Sequence, residues 1–527
     1  MGSGQAGDDG KRDSLLSRIS YLIDLLKKSP LEPIGGSASD ALSAYSQQDP
    51  TLSQTILLLH YAHFCEEMPK VHKDYLQVQS IVDNHVVLEH ATTEFSDSEA
   101  KDVILSELAG SVILSGLSRL DNVFDKLAMQ SPTFDRVQMD FLLDALCQHF
   151  QRYVFDVDIL TEAGFVTATG VNRDVFRRFR AALLAIADFC DGVAGALSRR
   201  LNADGPPSDQ ALADELLEWI SVFWIEKDFR EIVAGLARIT PAELGKLLPF
   251  FFLNLDAAKL HADHAGDGFT PPLFQLGNGV SFTSSLIRAA VGERNILFGI
   301  NRLNRQKFDN VVSQHLEPKL LADTVSLLKH FDNLVLVQNF DWGQGEIDLL
   351  VYSPDENSAL HIQAKASLAP EGARMIRATE ARIEEGLVQL AAFRRLTQEQ
   401  QDTIFSNALG KSVRKVTVVD AVLARACFGT HRIWTKAIGT SFITLPLLAL
   451  VLSELERRGE LFSVVRFPAL VNELLGNLMA AAGPRWEPET IELGSASVSV
   501  PMLRYDHSPL IQAKVLIYKV FDRNILQ

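Results

Sequence analysis

Cations are in short supply in this chain. Its 527 residues include 50 Lys and Arg against 66 Asp and Glu, a net charge of −16. Neutralising phosphates is the main source of non-specific nucleic-acid affinity, so a chain-wide nucleic-acid coat is a poor fit. The deficit is uneven. Residues 301–430 carry 15 Lys and Arg against 16 Asp and Glu. That stretch is near neutral, and the acidity belongs to its flanks, where it restrains nucleic-acid binding, serves protein partners or simply keeps the chain soluble.

Cysteine is scarce as well. Cys65, Cys147, Cys190 and Cys427 are far apart and make no CxxC pair, which argues against both a zinc ribbon and a disulfide framework. Cys147 and Cys190 fall in apolar, helix-like stretches, so buried free thiols in a reducing, cytoplasmic compartment are expected. HExxH, Walker A and GxSxG motifs are missing, as is a GxGxxG after a suitable strand; this argues against an ATP-driven motor or a serine hydrolase. The longest apolar run, 438–452, is too short for a membrane span and contains Pro446; it reads as a buried element. Met1–Gly4 shows no apolar signal-peptide core, and Ala6 departs from the myristoylation pattern.

What is present is ordered material for three or four domains at about 100–200 residues each. Residues 1–13 are polar and read as a disordered tail. Residues 14–265 read as a mainly helical region of one or two subdomains. Leu15, Ile19, Leu22 and Leu26 share one helical face, and further helices are predicted near 52–65, 98–129, 136–154, 174–200 and 208–225. Thr240-Pro241-Ala242-Glu243 is a capping box with proline at the first helical position. Residues 266–300 form a junction, with a β-hairpin of Leu273–Leu276 and Val280–Thr283 around Gly277-Asn278-Gly279. A helix-rich stretch continues to about 331.

Residues 301–430 then change character. Leu334–Phe340, Glu346–Ser353, Ala359–Ala366 and Val416–Leu423 read as strands, with a helix over about 374–397 between the last two. Residues 431–527 form a mixed accessory region that periodicity does not place in a fold.

Side chains two apart on a strand share a face. Glu346 and Asp348 therefore lie on one side of the second strand, and Gln363 and Lys365 on one side of the third. If these strands pair as a hairpin, Asp348, Gln363 and Lys365 converge at one end of the sheet. Such a group suits phosphodiester hydrolysis. A hard divalent cation prefers oxygen ligands, which Asp348, the Gln363 side-chain carbonyl and the Ala364 main-chain carbonyl can provide. Lys365 is then available to orient water or to stabilise charge growing on the phosphorus.

Gly345-Glu346-Ile347-Asp348 followed by Gln363-Ala364-Lys365 resembles the PD-(D/E)xK nuclease superfamily, in the style of Mrr-like restriction endonucleases whose second acid is Gln. The resemblance covers about 100–130 residues. It implies a restriction-endonuclease-like α/β core between the helical region and the C-terminal region. It also implies Mg²⁺ (or Mn²⁺) held at Asp348, Gln363 and Ala364, with Lys365 assisting the attacking water. A further acid on the preceding helix is implied, Glu317 or else Asp323, with Glu346 another possible ligand. Gln389, on the following helix, is a supporting residue.

Weaker signals remain open. Arg374, Arg377, Arg382, Arg394 and Arg395, with Lys411, Arg414 and Lys415, track phosphates or form a solvated mixed face. Trp342 stacks on a base or packs a turn. His60, His63, Cys65 and Glu66, and separately His261, Asp263 and His264, are half metal sites or packing residues.

The expected function is a Mg²⁺-dependent deoxyribonuclease, a restriction-like defence effector gated by its helical half, with DNA as substrate, a protein activator on the acidic helical region and homo-oligomers as an option. The alternatives are an inert nuclease-fold scaffold and a structure-specific repair nuclease.

Overall fold

The computed structural model describes residues 50–114, 120–129, 136–203, 215–216, 218–220, 222–254, 271–370 and 373–525. The expected tail, the helix over 14–28 and the His261, Asp263 and His264 group lie outside the described residues. The protein is a mixed α/β molecule with four sheets among the described residues.

A helix over Pro50–His72 leads into a hairpin of β1 (Leu76–Val82) and β2 (His85–His90). Sequence periodicity over 14–265 does not announce this hairpin. Its two-residue connection is Asp83-Asn84, with Asp83 in the left-handed region at φ 53°, the kind of turn that closes a hairpin. Helix α1 (Thr93–Leu108) follows, capped by Thr92. The single helix expected over 98–129 is in fact broken. Beyond Gly110-Ser111 the chain forms β3 (Val112–Ile113), which pairs with β4 (Val154–Phe155). A glycine followed by β-branched residues favours this break over helix continuation.

Helix α2 (Arg173–Ala203) is the centre of the helical half. It is long and apolar enough to cross a membrane by length and composition. Its apolar surface is nevertheless used internally: Leu183, Leu184, Ile186 and Phe189 are fully buried in a core shared with Phe124, Phe150 and Phe251. Each such side chain contributes about 1.5–3 kcal/mol relative to exposure. The end of the helix expected over 208–225 is instead β5 (Val222–Ile225). Its Val-Phe-Trp-Ile sequence suits a pleated surface, and it joins β6 (Phe252–Asn254), β7 (Leu273–Leu276) and β8 (Gly279–Phe282) in the order β5-β8-β7-β6. The β7–β8 hairpin and the Thr240–Glu243 capping box are as the sequence predicts.

After α3 (Glu293–Leu303) and α4 (Glu317–Leu328) comes the central sheet. It contains β9 (Val335–Asp341), β10 (Glu346–Ser353), β11 (Ser358–Lys365), β12 (Thr417–Ala424) and β13 (Thr440–Thr444). The order is β13-β12-β11-β10-β9. β9, β10 and β11 are antiparallel neighbours, and β11, β12 and β13 run parallel. Helix α5 (Ala373–Arg394) makes the crossover from β11 towards β12.

The C-terminal residues complete this body. β13 extends the central sheet, and α6 (Leu445–Arg458) takes Pro446 in its first turn, where the missing N–H costs little. Helix α6 packs with α7 (Ser508–Ile525) in the core that also holds Leu349, Ile362 and Val422. β14 (Arg485–Leu493) and β15 (Ala496–Arg504) form a hairpin whose inner strand pairs in parallel with β2, some 400 positions earlier in the chain.

A buried carboxylate joins the two ends of the molecule. Asp102 on α1 accepts the N–H groups of Phe428 and Gly429, at 2.8 and 3.0 Å, in the loop after β12. Burial pushes its pKa up to about 7 against the pull of those two donors. Between about pH 4 and pH 7 the native state therefore holds a proton that the unfolded chain has lost, so stability falls as pH rises through that window. Melting curves from pH 4 to pH 7.5 should show Asp102→Asn gaining on wild type by a few kcal/mol, about 1.4 per pKa unit. A pH-independent gap between the two proteins would contradict this account.

Candidate active site

The β10–β11 ladder runs from Ser353↔Ser358 to Leu349↔Ile362. The next rung is replaced by a side chain: the Ala364 N–H donates to Asp348 Oδ2 at 2.7 Å. Strands that part while one still satisfies the other's backbone leave room for a functional group. Asp348 is buried at 6% exposure, as is Lys365, while Gln363 is fully enclosed.

Gln363 is held by half of its amide. Its Nε2 donates to the Glu346 carbonyl at 2.6 Å. Its Oε1 is buried and accepts no hydrogen bond, an arrangement that is costly unless another donor or a cation arrives. Beside it lie two buried residues that sequence reasoning missed, His361 and Asp420, whose facing Nδ1 and Oδ1 atoms make no hydrogen bond. His361 Nε2 is 3.4 Å from Gln363 Nε2, and His361 Nδ1 is 3.1 Å from Asp420, which also takes the Arg394 guanidinium. His361 and Asp420 are register partners on parallel strands. A lone aspartate in the apolar Val416–Leu423 run was the visible signal, but only the strand order gives it a partner.

Burial raises the Asp348 carboxyl to about 7; Lys365 and the Ala364 N–H oppose the rise, and Glu317 and Glu346 add to it. Glu317, at the start of α4, is also raised by burial. Lys365 and Arg382 pull it down, and Glu385 and Glu346 push it up. These mutual influences place Glu317, Glu346, Asp348 and Lys365 in one electrostatic neighbourhood. The competing residue Asp323 is engaged elsewhere, by Lys319 and by Arg425 at 3.7 Å.

Helix α5 closes the site from the other side. A Cβ on Gly386 would stand 3.2 Å from Lys365 Cε and 3.7 Å from Gln363 Cβ, so glycine is what lets this helix approach. Gln389, one turn further on, has a buried Oε1 without a hydrogen-bond partner.

The proposed phosphate-tracking residues do not gather here as a group. Lys411, Arg414 and Lys415 precede Thr417, which pairs with Ser358, whereas the site sits where Ala424 pairs with Lys365. Seven residues of strand separate the two ends, roughly 20 Å. At the far end Lys411 lies over the Tyr352 ring, and the Arg414 and Lys415 carbonyls accept from Asn357. Arg394 is committed to Asp420, Thr440 and two carbonyls. Arg377 and Arg395 are exposed, and the Arg374 side chain lies outside the described residues. Trp342 packs on Phe393 and against Gly345, as a turn residue does. His60 Nδ1 bonds the Glu492 carbonyl.

No group of three or more His, Cys, Asp or Glu side chains among the described residues is arranged for a metal. The residues gathered here offer a different donor set, of one buried carboxylate, one unsatisfied amide oxygen and nearby Glu317. All are hard oxygens, which suit Mg²⁺ or Mn²⁺ rather than zinc. Comparison with family models, with curated proteins and with solved structures gave no match.

An ionised Asp348 is held at a cost in stability. In chelator at pH 8, Asp348→Asn keeps an acceptor for the Ala364 N–H and removes the buried charge. Its melting transition should lie above that of wild type, by on the order of 2 kcal/mol. A clear loss of stability would show that the carboxylate is a structural rather than a functional group.

Proposed function

We propose that the protein is a metal-dependent nuclease of the PD-(D/E)xK kind, acting on DNA phosphodiesters. The observation that carries this reading is the convergence of Glu317, Asp348, Gln363 and Lys365 at one end of a mixed sheet, with the Gln363 Oε1 buried and unbonded. Asp348, Gln363 and the Ala364 carbonyl would hold the cation, with Glu317 or Glu346 beside them. When bound, a divalent cation supplies Lewis acidity and a more acidic bound water. The chain's own groups do the positioning. Lys365 presents its ammonium to the phosphate and to the charge that grows on it in the transition state. The Ala364 N–H fixes the Asp348 carboxylate, and the Glu346 carbonyl holds the Gln363 amide. Gln389 offers an amide oxygen to water or substrate.

The setting is consistent with a cytoplasmic, multidomain protein. Cys147, Cys190 and Cys427 are free and buried, which suits a reducing compartment. The acidic helical half fits a gate that limits DNA access until an activator or a second copy engages it, as in restriction-like defence. A second reading, an inert nuclease-fold scaffold, draws on the same Gln363, which removes one charge from the metal site, and on the absence of a three-acid group among the described residues.

Cleavage of plasmid and linear DNA separates the two. With Mg²⁺ or Mn²⁺ the wild type should cut, chelator should stop it, and Asp348→Ala and Lys365→Ala should each lose about a hundredfold or more. Arg414→Gln with Lys415→Gln should retain activity within about twofold, as distant phosphate contacts do at most. Equal, persistent cutting by both site variants would refute the site; no cutting by wild type under any of these conditions would favour the scaffold.

A further inference from the structure

A cavity of about 300 Å³, apart from the Asp348 site, opens where the parallel strands end. Leu368 and Ala369 follow β11, Arg425 and Ala426 follow β12, and Leu445 and Pro446 follow β13; all line it. The carboxyl ends of parallel strands are where open α/β sheets bind ligands. The remaining walls include the end of α1, β3 and β4, Arg180 of α2, the short helix Ser284–Ala290, the start of α3 and α7. No residue of the Asp348 site lines it.

The lining is cationic, although the chain carries a net charge of −16. Arg180, Arg288, Arg294, Arg425 and Lys514 face three carboxylates, Glu107, Asp156 and Glu293. Lys514 pairs with Glu107 at 3.1 Å, and Arg288 is taken by Asp188 and Asp191 outside the cavity. Two arginines are less well matched. Arg425 is 94% buried, at 6% exposure, yet its Nε and Nη2 make no hydrogen bond. It has a 3.7 Å ion pair with Asp323 and a 3.5 Å contact from Nη1 to the Asp158 carbonyl. Arg180, at 4% exposure, pairs with Asp156 and donates to Ser111, and its Nε is unbonded. A buried guanidinium with spare donors is costly unless an anion meets it. The first turn of α3, an eleven-residue helix, adds the positive end of its dipole beside Gly292. On another wall Phe155 and Tyr518 stand together, with ring centres 4.9 Å apart.

We propose that this cavity binds a small phosphate-bearing ligand with a flat apolar part, of nucleoside monophosphate size, with Arg425 and Arg180 on the phosphate and Tyr518 and Phe155 on the flat part. Burial holds both guanidinium groups below their ordinary range, Arg180 at about 10, and a bound anion relieves that. Because the walls come from both halves of the chain, occupancy bears on the ends of β11 and β12, one of which carries Lys365. The inference stands apart from the nuclease reading, since its readout is binding rather than cleavage.

The test is thermal melting of the full chain with AMP or inorganic pyrophosphate, at ionic strength held constant with sodium chloride. Wild type should show a saturable rise with both probes. Arg425→Gln should weaken both by tenfold or more, and Tyr518→Leu should weaken AMP while sparing pyrophosphate. Arg485→Gln, on the exposed surface, should respond as wild type does. If Arg425→Gln does not fold, Arg180→Gln carries the same expectation. No saturable response in wild type, or an undiminished response in the cavity variants, overturns the proposal. A response to a short DNA duplex alone also overturns it, in favour of a path for substrate.

Discussion

The central sheet is organised by one substitution of a side chain for a backbone rung. Where β10 and β11 part, Asp348 accepts the Ala364 N–H. A buried amide must find an acceptor, and here the acceptor is a carboxylate. That choice frees the strand ends to diverge while keeping them in register. It also fixes the carboxylate beside Gln363 and Lys365, whose side chains meet the glycine face of α5. The cost is a desolvated acid, visible in the raised pKa of Asp348. Perturbed acids next to a buried lysine are a recurrent mark of functional sites.

Segments far apart in the chain are tied together around this sheet. β2 pairs with β15, and Asp102 holds the loop after β12 from a helix more than 300 positions earlier. Further along that loop, Glu380 of α5 accepts the Thr430 N–H. The loop is thus held by two buried carboxylates from two distant segments. Such long-range closure holds α1 in the core of the central sheet, where Ile104, Leu105 and Leu108 are buried with Leu349 and Ile362.

Much of this was legible beforehand. The β10 boundaries, the hairpin at 273–282 and the capping box at Thr240 all rest on local chemistry: alternation, turn residues and a reciprocal cap. Strands β11 and β12 were legible to within a residue for the same reason. Local chemistry also explains the errors. Leu76–Val82 and Val222–Ile225 are short, and a short apolar run does not distinguish a strand from a helical segment. The C-terminal region was illegible because β13, β14 and β15 find their partners only in other parts of the chain.

The sequence by itself determined that Gln363 and Lys365 share one side of their strand and Glu346 and Asp348 one side of theirs, since a period of two residues suffices for that; the pairing that brings them together came from the fold. Tertiary structure decided the rest. It engaged Asp323 with Lys319 and Arg425, set His361 against Asp420, and carried Arg414 and Lys415 to the far end of the sheet. It also gathered arginines from distant segments around one cavity. Each of these depends on which elements neighbour each other across the fold, and that is settled by the burial of apolar surface over the whole chain rather than by the residues nearby in sequence.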